Sequence, residues 1–161
     1  MPALNLTTEM NSLLARLKEL ASNAPSLDEL ETGVVKAIAG QFPYYNWTGF
    51  YMLDPNDPET LVLGSFVGEP TPHVRIPVNE GICGAAVASG QTVVVDDVNA
   101  DPRYLSCSIR TKSEIVVPIH AHGRIVGEID IDSHAQAAFT GIDRAFLEEA
   151  ARIVGGWVER H

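Results

Sequence analysis

The chain has 161 residues, 21 acidic against 11 basic side chains, a formal net charge of −10 and two cysteines. That length suits one domain with a buried core, and the acidity works against nucleic acid and anionic membranes as partners. Two cysteines are too few for a disulfide scaffold, and the N-terminus shows neither a basic start nor an apolar leader segment, so a cytoplasmic protein is expected, its thiols either buried filler or reactive.

In chain order, Leu13, Leu14, Leu17 and Leu20 follow helical spacing up to the break at Asn23 to Pro25. Ser26 and Glu29 have the spacing of a capping box, which predicts a second helix from about Leu27 to Ile38, ending near Gly40. Trp47 to Leu53 and Thr60 to Val67 read as strands joined by the turn sequence Asp54 to Pro58. His73 to Val78 reads as extended, and Glu80 to Ala88 as a short helix closed by Gly90, with Cys83 in its first turn.

Thr92 to Val95 is a further strand, and Asp96 to Thr111, which contains Cys107, is the longest irregular stretch. Glu114 to His120 and Arg124 to Ile131 form a second hairpin across Ala121-His122-Gly123, and Thr140 caps an amphipathic C-terminal helix. The expected fold is α+β: an antiparallel sheet of five to six strands with terminal helices packed on one face and a loop over the other. The helices are placed at about 8–40 and 140–160, and the sheet with its ligand cup at about 45–133, in one domain covering 1–161. Apolar stripes expected on the terminal helices suggest a homodimer.

Gly81-Ile82-Cys83-Gly84 with the helix after it, and Val94-Val95-Asp96-Asp97-Val98-Asn99-Ala100-Asp101-Pro102-Arg103-Tyr104, resemble the middle of GAF domains. Four further blocks narrow the match: Asn46-Trp47-Thr48-Gly49-Phe50-Tyr51; Val74-Arg75-Ile76-Pro77-Val78; Cys107 seven residues before Glu114 in Ser113 to Pro118; and Asp130-Ile131-Asp132-Ser133. Together they resemble the free methionine-(R)-sulfoxide reductases, a one-domain branch of the GAF fold. The family's usual resolving cysteine precedes the Val-Arg-Ile-Pro run, and here that position is His73.

The resemblance implies reduction of free methionine sulfoxide by a thiolate, which needs a nucleophile, an acid for the departing oxygen and a reductant for the sulfenic acid left behind. It assigns the nucleophile to Cys107, with Arg103, Arg110 and Lys112 near enough in sequence to favour its thiolate. It gives Glu114, Asp130 and Asp132 the substrate ammonium and the protonation of the sulfoxide oxygen. Gathered carboxyls cannot all ionise, so Glu114 or Asp132 should keep its proton. Strand alternation puts Asp130 and Asp132 on one face without saying which face.

Trp47 and Tyr51, four apart on a strand, either wall the thioether or are ordinary core aromatics. The helix start at Gly81 and Ile82 offers backbone N–H groups to the substrate carboxylate. Cys83 is either a core thiol or the partner that resolves Cys107 through a disulfide. No cofactor is expected to be bound; an external reductant, a thioredoxin-type protein or a small thiol, would restore Cys107. No Cys-x-x-Cys or His-x-x-x-His spacing predicts a metal, even with His73 set beside the two thiols. The competing reading is a GAF sensor that binds a small ligand without catalysis.

Overall fold

The structure is a computed structural model and describes residues 5–106 and 108–161, so Cys107 lies outside the described residues. Two helices open the chain, α1 (Thr8–Asn23) and α2 (Leu27–Gln41). Thr7 Oγ1 accepts from the Met10 N–H at 3.1 Å and Ser26 Oγ from the Glu29 N–H at 3.2 Å, so each helix starts where a side-chain oxygen can take an otherwise unpaired donor. The second helix continues past Gly40 because the Phe42 N–H still reaches the Ile38 carbonyl.

The strands are β1 (Trp47–Asp54), β2 (Asp57–Val67), β3 (Arg75–Pro77), β4 (Val93–Val95), β5 (Ser113–Ala121) and β6 (Arg124–Ser133). They form one sheet in the order β3-β2-β1-β6-β5-β4, and every neighbouring pair is antiparallel. Between β3 and β4 comes α3 (Gly81–Ser89), and α4 (Gly141–Arg160) closes the chain. The first hairpin is tighter than its sequence suggests, since Asp54 pairs with Asp57 and only Pro55 and Asn56 turn the chain. In the second, His122 and Gly123 take φ of 54° and 74°, the left-handed pair that matches the twist of a two-residue hairpin. Among the described residues of the long stretch after β4 is a 3-10 turn, Val98–Ala100, which starts where Asp97 accepts from the Asn99 N–H.

Alternation along the strands divides the sheet into two faces. Phe50, Ile115, Val117, Ile119, Ile129 and Ile131 turn to α1, α2 and α4 and complete the larger core. Trp47, Tyr51, Leu61, Ile76 and Val116 turn the other way, under α3 and the stretch after β4. The large apolar side chains exposed among the described residues are Val74 and Ile109. The apolar stripes expected on the terminal helices are therefore turned inward, and the homodimer loses that argument. Among the described residues no helix is long and apolar enough to cross a membrane.

Candidate functional site

With Ile129 and Ile131 taken by the helical core, Asp130 and Asp132 must face α3, and both are buried. In the register of the sheet Asp132 stands between Trp47 and Glu114, and Asp130 between Gly49 and Val116. Glu114 is buried beside them. Three of the carboxyls that the sequence singles out thus meet under one helix.

Cys83, in the first turn of α3, comes down onto this group, and its Sγ donates to Asp130 Oδ2 at 3.5 Å. Burial pushes the Cys83 thiol up, and the neighbouring carboxylates of Asp130, Glu128 and Glu114 push it further. A thiol in that setting stays protonated and acts as a hydrogen-bond donor more readily than as a nucleophile. Burial likewise raises Asp130, although hydrogen bonding with Glu114 and Cys83 pulls against it. Asp132 is held well above the usual carboxylate range by burial and by the charge of Asp130.

Glu128 was not among the residues expected here. It is fully enclosed, opposite Tyr51 and Pro118 in the register, and burial holds it well above the ordinary range, with Asp130 adding to the shift. The period of two that aligns Asp130 with Asp132 reaches back to Glu128, so the signal was present in the strand itself.

Tyr51, His73, Ile76, Gly81, Ile82, Cys83, Leu105, Glu114 and Asp130 enclose a cavity of about 10 Å³, room for about one water. Trp47 and Asp132 stand beside this space and are not part of its lining. Trp47 does share the face of Tyr51, the rings stacked at 6.2 Å, but it also stacks on Phe66 at 5.5 Å and donates from Nε1 to the Glu69 carbonyl. Gly81 takes φ of 71°, and a Cβ there would meet Leu105 Cδ1 at 2.9 Å, so glycine is what lets Leu105 close over the helix start.

His73 closes the same side. Its carbonyl accepts from the Tyr51 hydroxyl at 2.7 Å and its Nε2 lies 2.9 Å from the Ser106 carbonyl. The cations expected to favour the Cys107 thiolate are in part engaged elsewhere: Arg103 pairs with Asp101 at 2.7 Å and Arg110 with Glu69 at 2.8 Å. Any disulfide between Cys83 and Cys107, and the placement of the nucleophile itself, lie outside the described residues.

A family model for the GAF domain matches residues 27–156. Protein YtsP of Bacillus subtilis is 45% identical over 109 residues, 68% of this chain and 66% of that protein. Free methionine-R-sulfoxide reductase of Saccharomyces cerevisiae is 40% identical over 110 residues, 68% of this chain and 61% of that protein. The aligned part thus spans less than two thirds of either of these relatives. The structure of free methionine-R-sulfoxide reductase from Neisseria meningitidis in complex with its substrate superposes with a TM-score of 0.88 at 32% identity, covering 99% of this chain and 98% of that one.

Proposed function

The chain belongs to the GAF domain family, and from that premise we propose that it is a reductase of free L-methionine-(R)-S-oxide. One observation carries the reading: Glu114, Asp130 and Asp132 converge in a buried cup on the face of the sheet away from the terminal helices. A surplus of enclosed carboxyls favours a ligand that brings its own positive charge, and the α-ammonium of a free amino acid supplies one where a methionine inside a peptide does not. The names of the yeast and Neisseria relatives support the same substrate.

In this reading the Cys107 thiolate reduces the sulfoxide sulfur by two electrons and is itself oxidised to the sulfenic acid. The oxygen leaves with it, and methionine departs as the thioether. Asp132, enclosed beside Asp130 and inclined to keep its proton, or Glu114 next to it, protonates the sulfoxide oxygen. Glu114 and Asp130 hold the ammonium, Tyr51 backs the methyl thioether, and Trp47 supports Tyr51 by stacking. The N–H groups of Gly81 and Ile82 meet the carboxylate once Leu105 has moved aside. Two thiols of an external reductant then return the sulfenic acid to thiol and release water and a disulfide. Cys83 can replace the first of them only by giving up its proton among carboxylates.

The test is NADPH oxidation coupled through thioredoxin and thioredoxin reductase, with free methionine sulfoxide as substrate and a dithiol reductant as a parallel donor. Turnover that disappears in Cys107→Ser is the expected result. Tight binding of the sulfoxide without turnover under any thiol donor would identify a sensor instead, the reading that His73 in place of a resolving thiol favours.

A further inference from the structure

The floor of the cup carries one donor for which an ammonium group has no use. Cys83 Sγ, a carboxylate oxygen of Glu114 and one of Asp130 all lie within 4.8 Å of one another, and all three residues are buried. A second observation concerns atoms outside that trio's own bonding. Asp130 Oδ1 and both carboxylate oxygens of Glu128 are buried and make no well-formed hydrogen bond among the described residues, and Glu128 lies close enough to Cys83 and Asp130 to interact with both. Buried acceptors left unpaired are costly, so this corner is built to receive a cation.

With Leu105 closed over it, the space enclosed there is about 10 Å³, room for one water or one ion. A thiolate with two carboxylates supplies three negative charges on a mixed sulfur and oxygen set. That set excludes magnesium and calcium, which take oxygen alone, and suits a divalent ion of the zinc class. Zinc bonds of about 2.3 Å to sulfur and 2.0–2.2 Å to oxygen require the donors to draw together slightly, a movement of side chains and not of strands.

We propose that Cys83, Glu114 and Asp130 form a binding site for one thiophilic divalent cation of the zinc class, with the buried Glu128 packed beside Cys83 and Asp130 and adding to the negative potential there. Binding releases the Cys83 proton, together with any proton that burial keeps on Asp130 or Glu114, and forms one metal–sulfur and two metal–oxygen bonds; no electrons move. Because Glu114 and Asp130 are also the carboxyls assigned to the substrate ammonium, cation and substrate exclude each other. That clause rests on the proposed function, whereas the site itself does not.

The experiment uses the full chain carrying Cys107→Ser, so that Cys83 is its one thiol, reduced and stripped with a chelator. Titration with Co²⁺ is followed by near-ultraviolet absorption and titration with Zn²⁺ by calorimetry. The expected result is one ion per chain with a thiolate-to-cobalt charge-transfer band. Cys83→Ser abolishes the band, and Asp130→Asn, its fold checked by circular dichroism, weakens Zn²⁺ binding by at least about tenfold. Absence of the band in the single-thiol protein, or a Zn²⁺ affinity indifferent to both substitutions, overturns the site. Free methionine sulfoxide should raise the apparent Kd for Zn²⁺. One-to-one binding that persists unchanged at saturating sulfoxide keeps the metal site and removes the substrate assignment.

Discussion

The His73 ring nitrogen Nε2 stands 2.9 Å from the carbonyl oxygen of Ser106, while the His73 carbonyl is itself held by the Tyr51 hydroxyl. A buried residue of β1 is thereby linked through one histidine to the stretch that covers Cys83. Replacing His73 with Phe keeps a ring and removes the donor; replacing it with Gln keeps a donor. One hydrogen bond of ordinary net strength corresponds to a threefold to tenfold change in the open population, on the order of what labelling can resolve. In a Cys107→Ser background, Cys83 should react with iodoacetamide roughly threefold to tenfold faster in His73→Phe, with His73→Gln close to the parent. Intact mass against time measures this, and equal rates in all three proteins would remove the tether.

Glu114 and Asp130 flank the enclosed space, whereas Asp132 stands beside it. Substitution of a group that binds the ammonium weakens ground state and transition state together and raises KM more than it lowers kcat. Asp130→Asn and Glu114→Gln should therefore raise KM for free methionine sulfoxide by about tenfold or more, the scale of one charge-assisted hydrogen bond. Steady-state kinetics with a dithiol donor give the split. A loss confined to kcat would remove Asp130 from ammonium binding, and the same split in Glu114→Gln would make Glu114 the acid in place of Asp132.

Much of this arrangement is legible in the residues themselves. Ser26 and Thr140 mark helix starts because a hydroxyl three residues before a helical N–H can cap it, and the structure has both caps. The hairpin of β5 and β6 follows from two alternating runs around His122 and Gly123. What alternation could not decide was whether Asp130 or Ile129 faces the helices. That depends on which side of the sheet α1, α2 and α4 cover, a fact of packing between distant segments. The same limit hid the trio of Cys83, Glu114 and Asp130, whose members come from α3, β5 and β6 and share no spacing motif. Glu128 was missed for a different reason: the resemblance begins at Asp130, although the strand period continues to Glu128.

Asp143 shows how the C-terminal helix is fixed to the rest. Its Oδ2 accepts from the Thr140 N–H and hydroxyl at 2.9 Å, completing a capping box, and its Oδ1 accepts from the hydroxyls of both Tyr44 and Tyr45 at 2.5 Å. Burial and the Asp143 carboxylate push both tyrosines up, so their protons stay on the hydroxyls. Asp143→Ala removes the reciprocal half of the capping box, leaving the Thr140 cap itself, and strands two phenols, one of them buried, and should cost about 3 kcal/mol. Urea unfolding measures the loss. A cost below about 1 kcal/mol would mean that the tyrosines find other acceptors.

Glu31 supplies a pH dependence that does not involve the cup. It lies on α2 against Gly64 of β2, it is 4% exposed, and its Oε1 accepts from the Ser65 N–H at 3.3 Å. Burial raises it from 4.5 to about 7, the Ser65 hydrogen bond opposes that, and the charge of Asp28 one turn earlier adds to it. The folded protein thus holds this proton more tightly than the unfolded chain. The associated stability is fully present below the unfolded value of 4.5 and is lost as pH rises through about 7. Over that window the loss should be about 3 kcal/mol. Glu31→Gln keeps the acceptor for Ser65 and removes the titration, so its unfolding free energy should decline less between pH 5 and pH 8 by that amount. Glu128, Asp130 and Asp132 push stability in the same direction and Asp54, Asp57 and Asp101 in the opposite one, but all six are common to both proteins. The difference between the two urea-derived curves therefore isolates Glu31, and parallel curves would show that its carboxyl ionises in the folded state at little cost.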